Sequence, residues 1–559
     1  MGLKKYAFKI IMIMIVIITT SLCVYSLANY KGDTQTKNTV NQSGNLNRGN
    51  AQMPDIQGQK PDDRAQNQKP DDGVQNSQPR NSGQDKGFNS DNRGFPNNHM
   101  FGSASDSGTK YAIQIIVYSI LFFGVFAFAY YFFKKKKFTI ESKNIAIIIL
   151  TMLATGFLFR ISASTLIEGH PFDLSTFKSW ATSAANNLAN VYSSGRASDY
   201  PPVYMYVLWA VGKLVNISAI TPYFSIVIKL PSILADVMTS YLVFRLAKKY
   251  TNLELSVLLS GFYLFNPAVL INSTVWGQVD SFFTLLVVSA IILLSEEKIA
   301  LSSIMFTIAV LMKPQGIIFV PVLLFEIIRR KSFKTILKAA GLSLLTATII
   351  ILPFALNKGP MWIINLYSNT LGEYQFASVN AFNFFSLLGA NYTNDSSNLF
   401  IFNYHTWGMI AIVLTTLISG FICFKGPNKM FASVAALSLI TGVFCFSSRM
   451  HERYLFPAVA LAIIAFIYLK DKRLLFLAGG FSLTVYINTH YVLYETSVGV
   501  NSIGFDPILM MTSILNVFLF GYLVKVIYDV VVKKRIVPLN SAKSHCIQIS
   551  SADKLTNEC

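Results

Sequence analysis

From residue 111 to about 530 the chain is a succession of apolar runs separated by short polar breaks. A helix that crosses a bilayer needs about 20 apolar residues, and lipid offers its backbone no hydrogen-bond partners. Such a pattern therefore folds as a bundle of membrane-crossing helices. Composition agrees: 52% of the 559 residues are hydrophobic and 13% are charged, against about 25% charged in soluble domains. A mean hydropathy of +0.45 excludes an ordinary water-soluble protein. The 44 Phe and 26 Tyr exclude disorder as the main state. The expected class is an all-α polytopic membrane protein with about 14 transmembrane helices and large extracytoplasmic loops.

The net charge of +19 sits in short clusters beside apolar runs rather than on a soluble face. It is a topology signal and not a nucleic-acid footprint. Residues 1–28 read as an N-terminal signal anchor or a signal peptide; the length favours an anchor, and either reading places residue 29 outside. Residues 29–110 are rich in Asn, Gln, Asp and Gly, and Gln59-Lys60-Pro61-Asp62-Asp63 recurs at 68–72. This segment buries too little to offset its ordering entropy and is expected to be a disordered extracytoplasmic linker. The polytopic domain is 111–535, followed by a cytoplasmic tail, 536–559. The 203–217 run is short for a span; charge bias makes it a juxtamembrane or re-entrant helix. Arg329, Arg330, Lys331, Lys425, Lys470, Lys533 and Lys534 then all fall on the cytoplasmic side. The five Cys form no disulfide framework, and the scattered His have no ligand spacing.

Polar residues that break this pattern are the candidates for chemistry. Asp236 lies within an apolar run, where an ionisable group marks either function or intramembrane support. Four constellations fall on the outer face. The first, Gly169-His170-Pro171-Phe172-Asp173, places a carboxylate where a span leaves the membrane, able to take a proton from a hydroxyl. The second, Asp199-Tyr200-Pro201-Pro202, offers a ring for a sugar, and equally a helix start capped by Asp199. The third, Trp276-Gly277-Gln278-Val279-Asp280, combines a flat apolar face, an amide and a carboxylate, a set suited to carbohydrate. The fourth, Arg449-Met450-His451-Glu452-Arg453, runs against the positive-inside bias. Arg binds phosphate through a planar fork, so an anionic lipid head group is its natural partner. Lys313, beside Pro314, adds a cation to that phosphate site.

In this order the pieces resemble the GT-C class of membrane glycosyltransferases, over about 143–530. The resemblance rests on Asp173, Asp199-Tyr200-Pro201-Pro202, Lys229-Leu230-Pro231 with Asp236, Phe265-Asn266-Pro267, Trp276 to Ser281, Met312-Lys313-Pro314-Gln315, Ser378-Val379-Asn380-Ala381-Phe382-Asn383 and His451-Glu452-Arg453. It is nearest to bacterial proteins related to the second mannosyltransferase of GPI-anchor assembly. More distantly it is similar to the lumenal glucosyltransferases of N-glycan assembly, the protein O-mannosyltransferases and the lipid A aminoarabinose transferases.

The resemblance implies an inverting transfer of a hexose, mannose or glucose-like, from a polyprenyl-phosphate-linked donor to an extracytoplasmic glycan, lipid or protein. It implies a multi-pass protein of a bacterial cell membrane whose active site faces outward. Asp173 matches the position of the class's base, although members often carry two adjacent acids there and this chain has Leu174. Asp199, Tyr200, Trp276, Gln278, Asp280, Asn380 and Asn383 are the expected substrate contacts. Lys313, Arg449, His451 and Arg453 are the expected donor-phosphate contacts. No cofactor and no nucleic acid are implied; phosphate is a good leaving group and needs no metal, though some members of the class use a divalent cation. The alternative is a transporter or flippase of lipid-linked oligosaccharide, which predicts internal repeats and polar groups near the midplane. No repeat is seen among the apolar runs, and the polar groups cluster in loops.

Overall fold

The computed structural model describes residues 2–32, 110–135, 139–193, 198–356, 358–359, 361–539 and 547–548. The linker expected at 29–110 and the tail expected at 536–559 lie mostly outside the described residues. What is described is almost wholly helical, an all-α polytopic membrane protein. In chain order the main helices are α1 (Gly2–Ala28), α2 (Ala112–Lys135), α3 (Ile145–Leu166), α4 (Pro171–Asn186), α5 (Pro202–Val215), α6 (Phe224–Tyr250) and α7 (Leu253–Leu264). After a π-helical turn, Ile271–Trp276, come α8 (Asp280–Ser295), α9 (Ile299–Met312), α10 (Val320–Arg329), α11 (Phe333–Ala355) and α12 (Trp362–Gly372). The last five are α13 (Tyr404–Lys425), α14 (Ala432–Phe446), α15 (Pro457–Leu469), α16 (Lys472–Ser497) and α17 (Pro507–Val531).

Among the described residues, nine helical segments are long and apolar enough to cross a bilayer by length and composition, and α5, α8, α9 and α15 are shorter apolar helices. Two of the short ones are interrupted by polar residues. α8 begins at Asp280 and α9 ends at Lys313-Pro314, where proline and an extended lysine stop the helix. α15 is buried along its whole length, as expected of a helix apolar on every side. α1 and α11 are the opposite: few of their side chains are covered by protein, and Leu337, Leu344, Ile349 and Leu352 of α11 point outward. They are lipid-facing.

α4 and α5 form a hairpin between α3 and α6. Gly212 makes their close approach possible, because a Cβ there would lie 2.2 Å from the Ala181 carbonyl oxygen. The end of α3 and the start of α6 lie together, joined by Lys229 of α6 donating to the Ile167 carbonyl. The pair therefore does not cross, in agreement with the reading of 203–217. From α6 onward the helices run alternately up and down. One end gathers 166–173, 276–280, 313, 373–395 and 449–454. The other gathers the basic clusters, with Lys249 paired to Glu296, Lys429 and Arg330 to Glu297, and Arg473 to Asp529.

Candidate active site

Two short approaches of the backbone build the site. His170 caps α4, Pro171 occupies its first turn, and Asp173 follows at the positive end of that helix. Gly169 has φ +112°, and a Cβ there would fall 2.6 Å from the Trp276 carbonyl oxygen. The gap lets the His170 N–H donate to that oxygen at 2.9 Å. Across from it the π-helical turn ends at Gly277, φ +88°. A Cβ on Gly277 would meet Leu174 at 2.8 Å. Both positions suit glycine for its freedom in the left-handed region and its lack of bulk.

The result is a carboxylate held by two side-chain donors, with the capping His170 beside it. Trp276 Nε1 and Gln278 Nε2 each donate to Asp173 Oδ2 at 2.6 Å, and His170 Nδ1 lies 3.3 Å from the same oxygen. The His170 ring stacks on Trp276, centroids 5.2 Å apart. Burial by itself would push the Asp173 pKa up. The positive charge of Arg453, with His170 and the two donors, outweighs that and holds it below the usual carboxylate range. All these contacts reach Oδ2; among the described residues no side-chain donor is placed on Oδ1.

The cationic side of the cluster comes from three other elements. Lys313 pairs with Asp280, and its ammonium lies 5.7 Å from the Tyr200 ring centre and 5.5 Å from that of Tyr454. Arg453 pairs with Glu452, lies 3.8 Å from Asp280 Oδ2, and stands over the Trp276 ring at 5.6 Å. Asn272 Nδ2 donates to the same Asp280 Oδ2 at 3.0 Å. His451 is buried between Tyr374 and Tyr454, ring centres 4.7 and 4.9 Å away. Burial, then Arg453 and Lys313, push its pKa well down, so it is a neutral imidazole at pH 7. On the far rim, burial raises Asp199, and burial with the charge of Asp199 raises Glu373.

The structure thus brings together Asp173, Asp199, Tyr200, Trp276, Gln278, Asp280, Lys313, His451 and Arg453. Three other expected contacts stand outside that group. Arg449 bonds Asp395 at 2.6 Å and the Leu371 carbonyl at 2.9 Å. It pins the 373–405 loop, since its carboxylate partner is buried there. Asn380, at φ 54°, exchanges bonds with Asn391, Asn501 and Ile503. Asn383 caps the helical turn Phe384–Leu387 and bonds the Phe444 carbonyl. Their amides satisfy backbone groups that would otherwise be buried unpaired. Asp236 is a fully buried partner of Arg160, 3.4 Å away, and Arg160 also bonds the Gly156 carbonyl at 3.3 Å.

Sequence reasoning passed over Arg160, although a lone charge in an apolar run was a visible signal. It also passed over Tyr374 and Glu373, which lie in a loop without a motif. Glu452 and Tyr454 stand within the quoted 449–454 segment, but only the fold shows that they face the cluster. Among the described residues, no group of three or more His, Cys, Asp or Glu side chains is placed to hold a metal ion.

A search of curated proteins finds no match to this chain. Residues 199–356, somewhat more than a quarter of the chain, match the profile of the family described as dolichyl-phosphate-mannose-protein mannosyltransferase. The matched stretch carries Asp199, Tyr200, Trp276, Gln278, Asp280 and Lys313; Asp173 and Arg453 lie on either side of it. The chain is an all-α polytopic membrane protein that, over these residues, is similar to lipid-linked-mannose-dependent glycosyltransferases.

Proposed function

We propose that this protein transfers a hexose, of mannose type, from a polyprenyl-phosphate-linked donor to a hydroxyl of an extracytoplasmic acceptor, with inversion. The observation that carries this reading is the carboxylate of Asp173, engaged on Oδ2 alone, set in one cluster with Arg453 and Lys313. A general base and a preformed cationic site for a departing phosphate are what such a transfer requires.

In this reading the acceptor O–H gives its proton to Asp173 Oδ1 as its oxygen attacks the anomeric carbon. The C–O bond to the lipid phosphate breaks on the opposite face, and the electron pair leaves on phosphate. Arg453 and Lys313 stabilise that charge, exchanging part of their contact with Glu452 and Asp280 for phosphate oxygens. His451, as a neutral donor, contributes a hydrogen bond rather than a charge. Tyr200 offers an aromatic ring to the sugar, while Trp276, covered by His170 and Arg453, orients Asp173; the Gln278 Oε1, buried without a protein partner, is free to accept from a sugar hydroxyl. Asp199 lines the acceptor side. Basic clusters at the opposite end of the helices support an outward-facing site by the positive-inside rule.

The test is an assay of purified protein with polyprenyl-phosphate mannose, polyprenyl-phosphate glucose and, separately, nucleotide sugars. Transfer from the lipid-linked sugars alone is expected. Movement of lipid-linked sugar between leaflets without chemical turnover would replace this reading by a flippase.

A further inference from the structure

Lys229 lies near the start of α6 and is fully buried. Its ammonium donates to the Ile167 carbonyl at 2.7 Å and to the Thr274 carbonyl at 2.8 Å. Ile167 closes α3, and Thr274 belongs to the π-helical turn that ends at Gly277. Both oxygens sit at C-terminal ends of helical segments, where carbonyls lack intrahelical partners and the dipole is negative. One cation therefore ties two helix ends together. Beyond Ile167 the chain reaches His170 and Asp173; beyond Thr274 it reaches Trp276 and Gln278. The His170 N–H bond to Trp276 and the Trp276 and Gln278 bonds to Asp173 join the far ends of these two segments; Lys229 joins them at their helical ends. The packing around it is close: a Cβ on Gly277 would lie 3.4 Å from Lys229 Cε. A methionine would fill this volume without the cost of a charge at membrane depth. What lysine adds is the pair of donors.

We propose that Lys229 is a positioning residue: by joining the ends of α3 and the π-helical turn it sets the Asp173 carboxylate against its donors Trp276 and Gln278. This inference rests on Asp173 as the base of the proposed transfer. If the tie is cut, the two donors move away from Oδ2. The charged groups that also act on Asp173 are His170 of its own helix start, Arg453 and Glu452 of the 449–454 segment, Lys313 after α9 and Asp199 before α5. Those acting on Lys229 are Glu168 and Lys178. None of these is altered by the substitutions below.

The experiment uses the full chain in lipid nanodiscs, as wild type, Lys229→Met, Lys229→Gln and Lys229→Arg. Infrared difference spectra against the same protein carrying Asp173→Asn read the Asp173 titration without substrate. Release of polyprenyl phosphate from polyprenyl-phosphate mannose, with methyl α-mannoside as acceptor probe, reads kcat and KM. In folded Lys229→Met the Asp173 midpoint should rise by about one pH unit as stabilising donors are lost. Its kcat should fall about 100-fold, the cost of a roughly 1 Å misplacement, with donor KM nearly unchanged. Lys229→Gln, with one amide donor group, should fall between, and Lys229→Arg, with charge and paired N–H groups, should approach wild type. An unshifted midpoint in a folded Met or Gln variant overturns the proposal, as does a raised KM at constant kcat. If neither variant folds, Lys229 belongs to the scaffold and the proposal is also overturned. A shifted midpoint in a protein that releases no phosphate from the lipid-linked sugar sinks the transferase reading alone; turnover with no shift sinks the positioning role alone.

Discussion

In the proposed transfer Asp173 and Arg453 divide the chemistry between them, and each makes a separable prediction. Asp173→Asn removes a proton acceptor and keeps most of the side chain's shape. Turnover should fall by roughly 10²–10⁴-fold with donor affinity nearly intact, as measured by single-turnover kinetics beside donor binding. Because Asp173 is held below the usual carboxylate range, it stays ionised as the pH falls through the ordinary aspartate value of about 3.9. The acid limb of kcat/KM should therefore lie below that value. A limb above that value would instead assign the base to another group. Arg453→Ala should weaken donor binding by about 1.5–3 kcal/mol for each charged hydrogen bond lost. Arg453→Lys should also impair activity, since a point charge does not replace a planar fork. Arg449→Ala is the contrasting control: Arg449 is bound to Asp395 and Leu371, so loop order should suffer while donor affinity holds.

Between residues and fold stand the helix contacts that fix where the cluster forms. Arg160 of α3 and Asp236 of α6 make a buried ion pair, and Arg160 reaches on to the backbone carbonyl of Leu264 at the end of α7. Three helices that lead into the site are thus locked to one another. Breaking one side leaves an unpaired charge in a dry interior, so Arg160→Ala should cost about 3–5 kcal/mol, read by reversible unfolding in detergent. The double variant Arg160→Met with Asp236→Leu should recover much of that loss; if it unfolds as readily as the single variant, the pair is not the source of the effect. The α4–α5 hairpin depends on a different device. Gly212→Leu would drive a side chain into the Ala181 backbone, parting α5, with Tyr200 at its start, from α4, with Asp173. Activity should fall while the spans insert normally.

The whole bundle sorts its charges by end. Asp173, Asp280, Lys313 and Arg453 gather at one, and the lysine and arginine clusters after α6, α10, α13 and α17 gather at the other. Reporter fusions after 137, 249 and 330 should read cytoplasmic, and fusions after 173, 280 and 451 should read external. A cytoplasmic signal at 280 would reverse the orientation and remove the donor's lipid phosphate from the proposed face. Leu344 of α11 is exposed and lies away from this cluster, so a conservative apolar substitution such as Leu344→Ile should leave turnover unchanged.

The apolar runs were enough to give the class and the positions of the nine described helices long and apolar enough to cross a bilayer, and charge bias set 203–217 apart as a juxtamembrane or re-entrant helix. Span length and charge bias are local quantities, and the bilayer imposes them on every segment separately. The Gly-bounded motifs at 169–173 and 276–280 were legible for a related reason: glycine, proline and a capping residue fix backbone shape within a few positions. What only the tertiary structure decided was which polar residues meet. Arg449 and Arg453 look alike in sequence, four residues apart, yet a left-handed turn at Arg449, φ 62°, sends the first to the outer loop while the second stands over Trp276. Asn380 and Asn383 carry the polarity of ligand-binding residues and are consumed by Asn391 and by the backbone of the 501–503 and 444–447 segments. Lys229 and Arg160 looked like parts of spans until their partners on other helices were visible. Pairing of charges in a low-dielectric interior depends on distances set by helices far apart in the chain, and no periodicity encodes them.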